Sequence, residues 1–212
     1  MAKSFHEQCQ AESSPSASGV TGLAVLALDK SGNRLIGKYY GRRESIVDDP
    51  ITEESAFWLY SITKTISAVA LLQCVERGKI GLDDEVYHLL PELKDFQVIG
   101  HGPDGTQTLT PHKKKITLRH LLAHTSGIGA FCGDSKKAYT IPLLFKPGEG
   151  WAYGGGVEWA GILLERLEKV KLGEYLNANV FDPLGMTSTT FHPDRDPDVE
   201  RHLVETQHTY LG

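Results

Sequence analysis

Cysteine is scarce in this chain, with only Cys9, Cys74 and Cys132 among 212 residues. An odd count without metal-ligand spacing argues against both a disulfide framework and a zinc site, and Cys74 lies in an apolar stretch where a thiol serves as small filler. Long hydrophobic runs are also lacking, since nothing approaches the roughly 18 apolar residues that a membrane span requires. Met1 to Gln10 is polar where a secretory signal would be apolar. The expectation is an intracellular, cytoplasmic protein with reduced thiols and no membrane partner. Charge of one sign is missing too: 22 basic side chains face 27 acidic ones, for a net charge of −5. The only basic run, Lys113-Lys114-Lys115, has no aromatic or arginine cluster beside it. It therefore reads as a solvated turn or edge strand, and no nucleic-acid partner is expected. With 40% hydrophobic residues, the length suits one globular unit, or one and a half, with a real core.

The most informative stretch is Phe57-Trp-Leu-Tyr-Ser-Ile-Thr-Lys64, which runs into the apolar segment from Thr65 to Arg77 and then Gly78. The spacing predicts a helix from Ile62 to Arg77, stopped where glycine suits a left-handed C-terminal position. Its apolar character nearly all round predicts burial. Ser61 then sits at the first turn of a core helix, where free N–H groups and the positive dipole end favour developing negative charge. Lys64 shares a face with it. A serine hydroxyl attacks only when a neighbouring group takes its proton, and Ser-Lys pairs are a known solution. An N-cap serine with a snorkelling lysine is the plain structural alternative.

In chain order, residues 1–19 predict at most a short helix and a linker. Val20 to Asp29 and Arg34 to Tyr40 predict a β-hairpin about Lys30-Ser-Gly-Asn33. Ala56 to Tyr60 predicts a short extended entry into the core helix. A loop and a short helix stopped by Pro91 follow, then an exposed excursion over 100–112. Thr117 caps a short helix ending at Thr125-Ser126-Gly127. His120 and His124 share a face, but Leu121 stands where a metalloprotease carries its acid. They are expected to hydrogen-bond backbone around a tight turn, and no metal is expected. The loop from Phe145 to Gly156 meets neither the dinucleotide nor the P-loop pattern. Its glycines, Gly154 and Gly155 among them, are expected to let backbone approach a ligand beside Tyr153. Helices over 157–169 and 171–180 follow, and residues 193–212 read as a polar tail, poorly ordered or ordered only against something else.

Three pieces together carry a resemblance: Tyr60-Ser-Ile-Thr-Lys64; Thr117-Leu-Arg-His-Leu-Leu-Ala-His-Thr-Ser-Gly-Ile128; and Phe145-x-Pro-Gly-x-x-Trp-x-Tyr153 before a glycine-rich helix entry. Phe181-Asp-Pro-Leu-Gly-Met-Thr-Ser-Thr189 fits the same pattern. The chain resembles the serine β-lactamase and penicillin-binding-protein superfamily, in its class C-like esterase and acyltransferase branch, over about residues 20–192. The resemblance implies an α/β (α+β) fold of the β-lactamase/transpeptidase type, an antiparallel sheet with a helical subdomain. It implies that Ser61 is the acylated nucleophile and that Lys64 is the base, or the charge that keeps its partner deprotonated. Tyr153 would be the phenol that passes a proton to and from Ser61 and the leaving group. Tyr60, Trp151, Gly154 and Gly155 are the expected substrate-binding residues, with Trp58 and Phe131 as further candidates for the pocket wall.

Two departures shape the functional expectation. The family's asparagine two places after the tyrosine is Gly155 here, which points from β-lactams and peptides toward esters or thioesters. The family's further strands and its Lys/His-x-Gly motif have no counterpart after Met186, so the fold is expected to be truncated after its helical region. In the family that strand supplies the second oxyanion-hole N–H, the first coming from Ser61 itself. The chain then reads as an N-terminal segment over 1–19, an incomplete domain over 20–192 and the tail over 193–212. The expected function is a serine hydrolase or acyltransferase acting on a small-molecule acyl substrate through an acyl-Ser61 intermediate, without a cofactor. The alternatives are a descendant of the fold doing acid-base chemistry, such as cyclisation or isomerisation, and an inactive binding or assembly module. A homo-oligomer that completes the open sheet edge belongs to the same set of expectations.

Overall fold

A computed structural model describes residues 4–14, 20–44, 48–129 and 142–205. The chain divides into two compact units, one of Met1–Leu59 with Ser188–Gly212 and one of Tyr60–Thr187.

In the first unit, helix α1 (Phe5–Glu12) is opened by a capping box, in which Ser4 Oγ accepts from Glu7 N–H and the Glu7 carboxylate accepts from Ser4 N–H. Strands β1 (Gly22–Leu28) and β2 (Arg34–Gly41) form the expected antiparallel hairpin. Asp29 builds its turn: Oδ1 accepts from Ser31 N–H at 2.8 Å and Asn33 N–H at 2.9 Å, while Gly32 takes φ +84°. The register slips between Ala27 and Leu28, pairing Ala27 with Ile36 but Leu28 with Arg34.

Part of the segment read as a polar tail is ordered. Residues 197–202 form a helix, and Asp196 Oδ1 accepts from Asp198 and Val199 N–H at 3.2 Å each. Val199 is buried, and Leu203 bridges Ala56 in parallel, with Val204 N–H on Ala56 O at 2.8 Å. The charged composition of this segment concealed an N-cap aspartate followed by proline at the first helical position, which together start a helix.

In the second unit a turn of 3₁₀ helix, Tyr60–Ile62, runs into α2 (Thr63–Glu76). Gly78 follows at φ +68°. Burial of α2 is one-sided: Ser67, Ala70, Leu71 and Cys74 are buried, whereas Val69 and Leu72 are 43% and 46% exposed. An apolar composition all round does not decide burial by itself. Among the described residues α2 packs on the helices α4 (Gly156–Glu168) and α5 (Leu172–Leu176), which cover one flank. Strands β3 (Val98–His101) and β4 (Gln107–Thr110) form a second antiparallel hairpin within the stretch read as an exposed excursion. Its turn is set by Asp104, whose Oδ1 accepts from Thr106 N–H and Oγ–H, and by Gly105 at φ +80°. Pro91 opens a 3₁₀ turn (Pro91–Asp95) instead of stopping a helix, because proline fits a first helical position, where no N–H is needed.

The core of this unit gathers Leu71 and Cys74 of α2, Leu118 and Leu121 of α3 (Leu118–Leu122), and Trp159, Leu163 and Leu164 of α4. Trp159 is 1% exposed and meets Phe96 edge to face, with ring centroids 6.1 Å apart. Trp159→Ala is expected to destabilise the chain by about 3–5 kcal/mol through lost burial and a residual cavity. Urea unfolding followed by circular dichroism checks it. Among the described residues no helix is long and apolar enough to cross a membrane.

Candidate active site

Ser61 is presented by an unusual backbone. Tyr60 takes φ +44°, a left-handed conformation that costs a non-glycine residue roughly 1–2 kcal/mol. It starts the 3₁₀ turn on which Ser61 stands exposed, and Lys64 follows in the first turn of α2. The short turn flows straight into the helix, so both side chains emerge on the same side.

Tyr153 arrives from the loop before α4, and its hydroxyl donates to Ser61 Oγ at 2.6 Å. Lys64 Nζ lies 5.2 Å from the centroid of the Tyr153 ring and pairs with Glu158 Oε1 at 2.8 Å. Burial pulls the Lys64 ammonium down, but its hydrogen bonds to Glu158 and Tyr153 outweigh that and hold its pKa above the ordinary lysine value. Tyr153 is held below the usual phenol range, first by its hydrogen bond to Ser61 and then by Lys64, against desolvation and the Glu158 charge. The structure thus brings the three expected catalytic residues together, with Tyr153 hydrogen-bonded to Ser61 and the Lys64 cation beside the Tyr153 ring. Such a group can move a proton between a serine hydroxyl and a phenolate oxygen without large displacement.

Glu158 is the member that sequence reasoning missed. An acid in the first turn of a helix has an ordinary explanation in the helix dipole, so nothing in the pattern sets it apart. Only the packing of α4 on α2 brings it to Lys64.

The Thr117–Ile128 segment frames the loop that carries Tyr153. Thr117 and His120 cap α3 reciprocally: Thr117 Oγ1 accepts from His120 N–H at 3.3 Å and His120 Nδ1 accepts from Thr117 N–H at 3.2 Å. His124 Nδ1 accepts from Gly154 N–H at 3.3 Å, so both histidines bond backbone, in line with the turn reading. Burial lowers the pKa of each ring below the ordinary value, and at His124 the Lys64 charge lowers it further. Gly127 sits at φ +87°, and a Cβ there would lie 2.2 Å from Phe145 O. Only glycine lets the two segments close on each other.

Gly154 and Gly155, expected to contact substrate, pack against the chain's own backbone. Both are buried, with Gly154 N–H on His124 and Gly155 N–H on Gly129 O at 2.9 Å. A Cβ on Gly154 would lie 2.2 Å from Ile128 O. The close approach that Gly154 permits is therefore to the chain's own backbone. Tyr60 and Trp151, 63% and 67% exposed, remain available to a ligand, and Trp151 meets the His124 ring edge to face. Trp58 belongs to the first unit, and Phe131 lies outside the described residues.

Comparison with known proteins shows which family the chain resembles. The family model described as Beta-lactamase matches residues 10–209. The lovastatin esterase of Penicillium rubens is 33% identical over 209 residues, which is 88% of this chain and 52% of the esterase. The monacolin J acid methylbutanoyltransferase of Aspergillus terreus is 33% identical over 214 residues, covering 89% of this chain and 52% of the transferase. The solved structure of unliganded simvastatin synthase (LovD) from Aspergillus terreus, as its selenomethionyl derivative, superposes with a TM-score of 0.83 at 31% identity, over 97% of this chain and 57% of that one. The chain spans about half the length of the curated relatives it matches. A serine turn at the head of α2, a phenol bonded to it and a family match over nearly the whole sequence lead to one assignment: the chain belongs to the beta-lactamase family, in its esterase and acyltransferase branch.

Proposed function

We propose that this chain transfers an acyl group from a small ester or thioester through Ser61, delivering it to water or to an alcohol acceptor. The Tyr153–Ser61 hydrogen bond of 2.6 Å, backed by the charged Lys64, is the observation that carries the reading. In the attacking state Tyr153 is a phenolate stabilised by Lys64, and it takes the Ser61 proton as Oγ bonds to the acyl carbon. The tetrahedral intermediate collapses by breaking the bond from carbon to the leaving oxygen or sulfur, and Tyr153 returns the proton to that atom. Water or an acceptor hydroxyl then repeats the sequence on acyl-Ser61, giving its proton to Tyr153, and Ser61 recovers the proton on release.

Lys64 acts as a fixed cation in this scheme. A lysine whose pKa is raised is a poor base near neutrality, whereas an acidified phenol beside it is a usable one. The relatives whose names specify lovastatin hydrolysis and methylbutanoyl transfer support small branched acyl groups as the first substrates to try. Exposed Trp151 and Tyr60 offer apolar surface beside the nucleophile for such a group.

The test is covalent labelling of the purified chain with a fluorophosphonate, read by intact mass and by mapping the modified peptide. One adduct per chain on the Ser61 peptide is expected. A folded protein that takes up no label, or carries it elsewhere, would defeat the reading.

A further inference from the structure

We propose that His124 is a positioning residue for Tyr153, holding the phenol on Ser61 by gripping the backbone on both sides of it. The proposal rests on the acyl-enzyme reading above. His124 O accepts from Ala152 N–H at 3.0 Å, and His124 Nδ1 accepts from Gly154 N–H at 3.3 Å. The residues before and after Tyr153 are thus tied to one side chain and its own carbonyl. The His124 ring also lies over the Tyr153 ring, with centroids 4.7 Å apart and planes at 42°.

Reaching all three partners requires an uncommon backbone. His124 takes φ +57°, left-handed, in a residue that is not glycine. Such strain persists where the surroundings over-determine it and collects at functional sites. Here it is fixed from below by the α3 cap and by Thr125 N–H on His120 O at 3.0 Å, and from above by Gly127, also left-handed. A right-handed His124 would send its carbonyl or its ring elsewhere and release one side of Tyr153.

The grip also defines the chemical state of the ring. Nδ1 can accept from Gly154 only when it carries no proton, so His124 must be the neutral Nε2–H tautomer. Burial, and then the charge of Lys64, favour that neutral ring against the opposing Glu158 carboxylate.

The test compares fluorophosphonate labelling of Ser61 in the wild type, His124→Ala and His124→Asn, as the rate per folded molecule at saturating probe. Asparagine tolerates the left-handed region, and its Oδ1 can accept the Gly154 N–H. His124→Ala is expected to label about 10²-fold more slowly, the scale of a misplaced reacting group, with the half-saturating probe concentration unchanged. His124→Asn is expected to recover most of the rate. Equal saturating rates in wild type and His124→Ala, or His124→Asn no faster than His124→Ala, would overturn the role of His124 alone. A wild type that does not label would overturn the acyl-enzyme reading and this role with it. Long-range ¹H–¹⁵N correlation on the wild type decides the matter independently of how the variants fold. The Nε2–H tautomer at neutral pH is expected, and an Nδ1–H or charged ring would overturn the proposal.

Discussion

Ser61→Ala is expected to lower turnover of a p-nitrophenyl ester by about 10⁴–10⁶-fold, the range seen when a serine nucleophile is removed from an assembled site. The loss should fall on kcat, because Ser61 makes its decisive bond in the reacting state and not on binding. Tyr153→Phe should cost about 10²–10⁴-fold, as loss of a positioned proton acceptor does. The informative variant is the double one. If Tyr153 works only by exchanging a proton with Ser61 across their 2.6 Å hydrogen bond, removing it from a Ser61→Ala background changes nothing further. Steady-state kinetics on the four proteins closes the cycle. Additive losses would mean that Tyr153 acts on the substrate apart from Ser61, and would break the mechanism at its first step.

The second large effect concerns Lys64. Lys64→Met keeps much of the side chain's bulk and removes its charge. In the proposed mechanism the phenolate of Tyr153 is the active form, so activity should rise with pH as Tyr153 loses its proton. Lys64 is one of the groups that hold the Tyr153 pKa down, after the hydrogen bond to Ser61. Without the cation that pKa rises, and the ascending limb of the pH–kcat profile moves to higher pH. At neutral pH the variant should therefore lose activity, within the ~10²–10⁴-fold that a positioned proton acceptor contributes, and regain part of it in alkaline buffer. If Lys64 instead took the Ser61 proton itself, raising the pH would restore nothing. The pair with Glu158 at 2.8 Å argues against that role, because a carboxylate neighbour keeps the lysine protonated.

Much of the fold was legible because its signals are local. The α1 segment, the β1–β2 hairpin and the start and stop of α2 each follow from caps, turns or periodicity within a few residues. The juxtaposition of Ser61, Lys64 and Tyr153 came from motif order, which the fold converts into distance. What escaped depends on contacts remote in sequence. Glu158 looks like any first-turn acid until α4 is placed beside α2. That the N–H groups of Gly154 and Gly155 bond to the 124–129 segment could not be read from their glycine-rich loop. The exposed flank of α2 carries large apolar residues, Val69 and Leu72, as its buried flank carries Leu71, so composition alone does not tell them apart. The helix over 197–202 was hidden by charge, although its Asp-Pro start was present in the sequence.

The left-handed residues bear on how this chain could be improved by engineering. Among the described residues three that are not glycine adopt positive φ: Tyr60, His124 and Lys169. Glycine at any of them would relieve strain, and a screen for thermostability would be drawn to all three. Lys169 ends α4 at a position where glycine is the usual occupant, so hardening the chain there leaves the reactive group untouched. At 60 and 124 the same exchange would loosen the turn under Ser61 or the contacts that His124 makes on both sides of Tyr153, the proposed nucleophile and its proposed proton partner. The gain in melting temperature would come at the expense of rate, a trade-off confined to two residues and therefore avoidable.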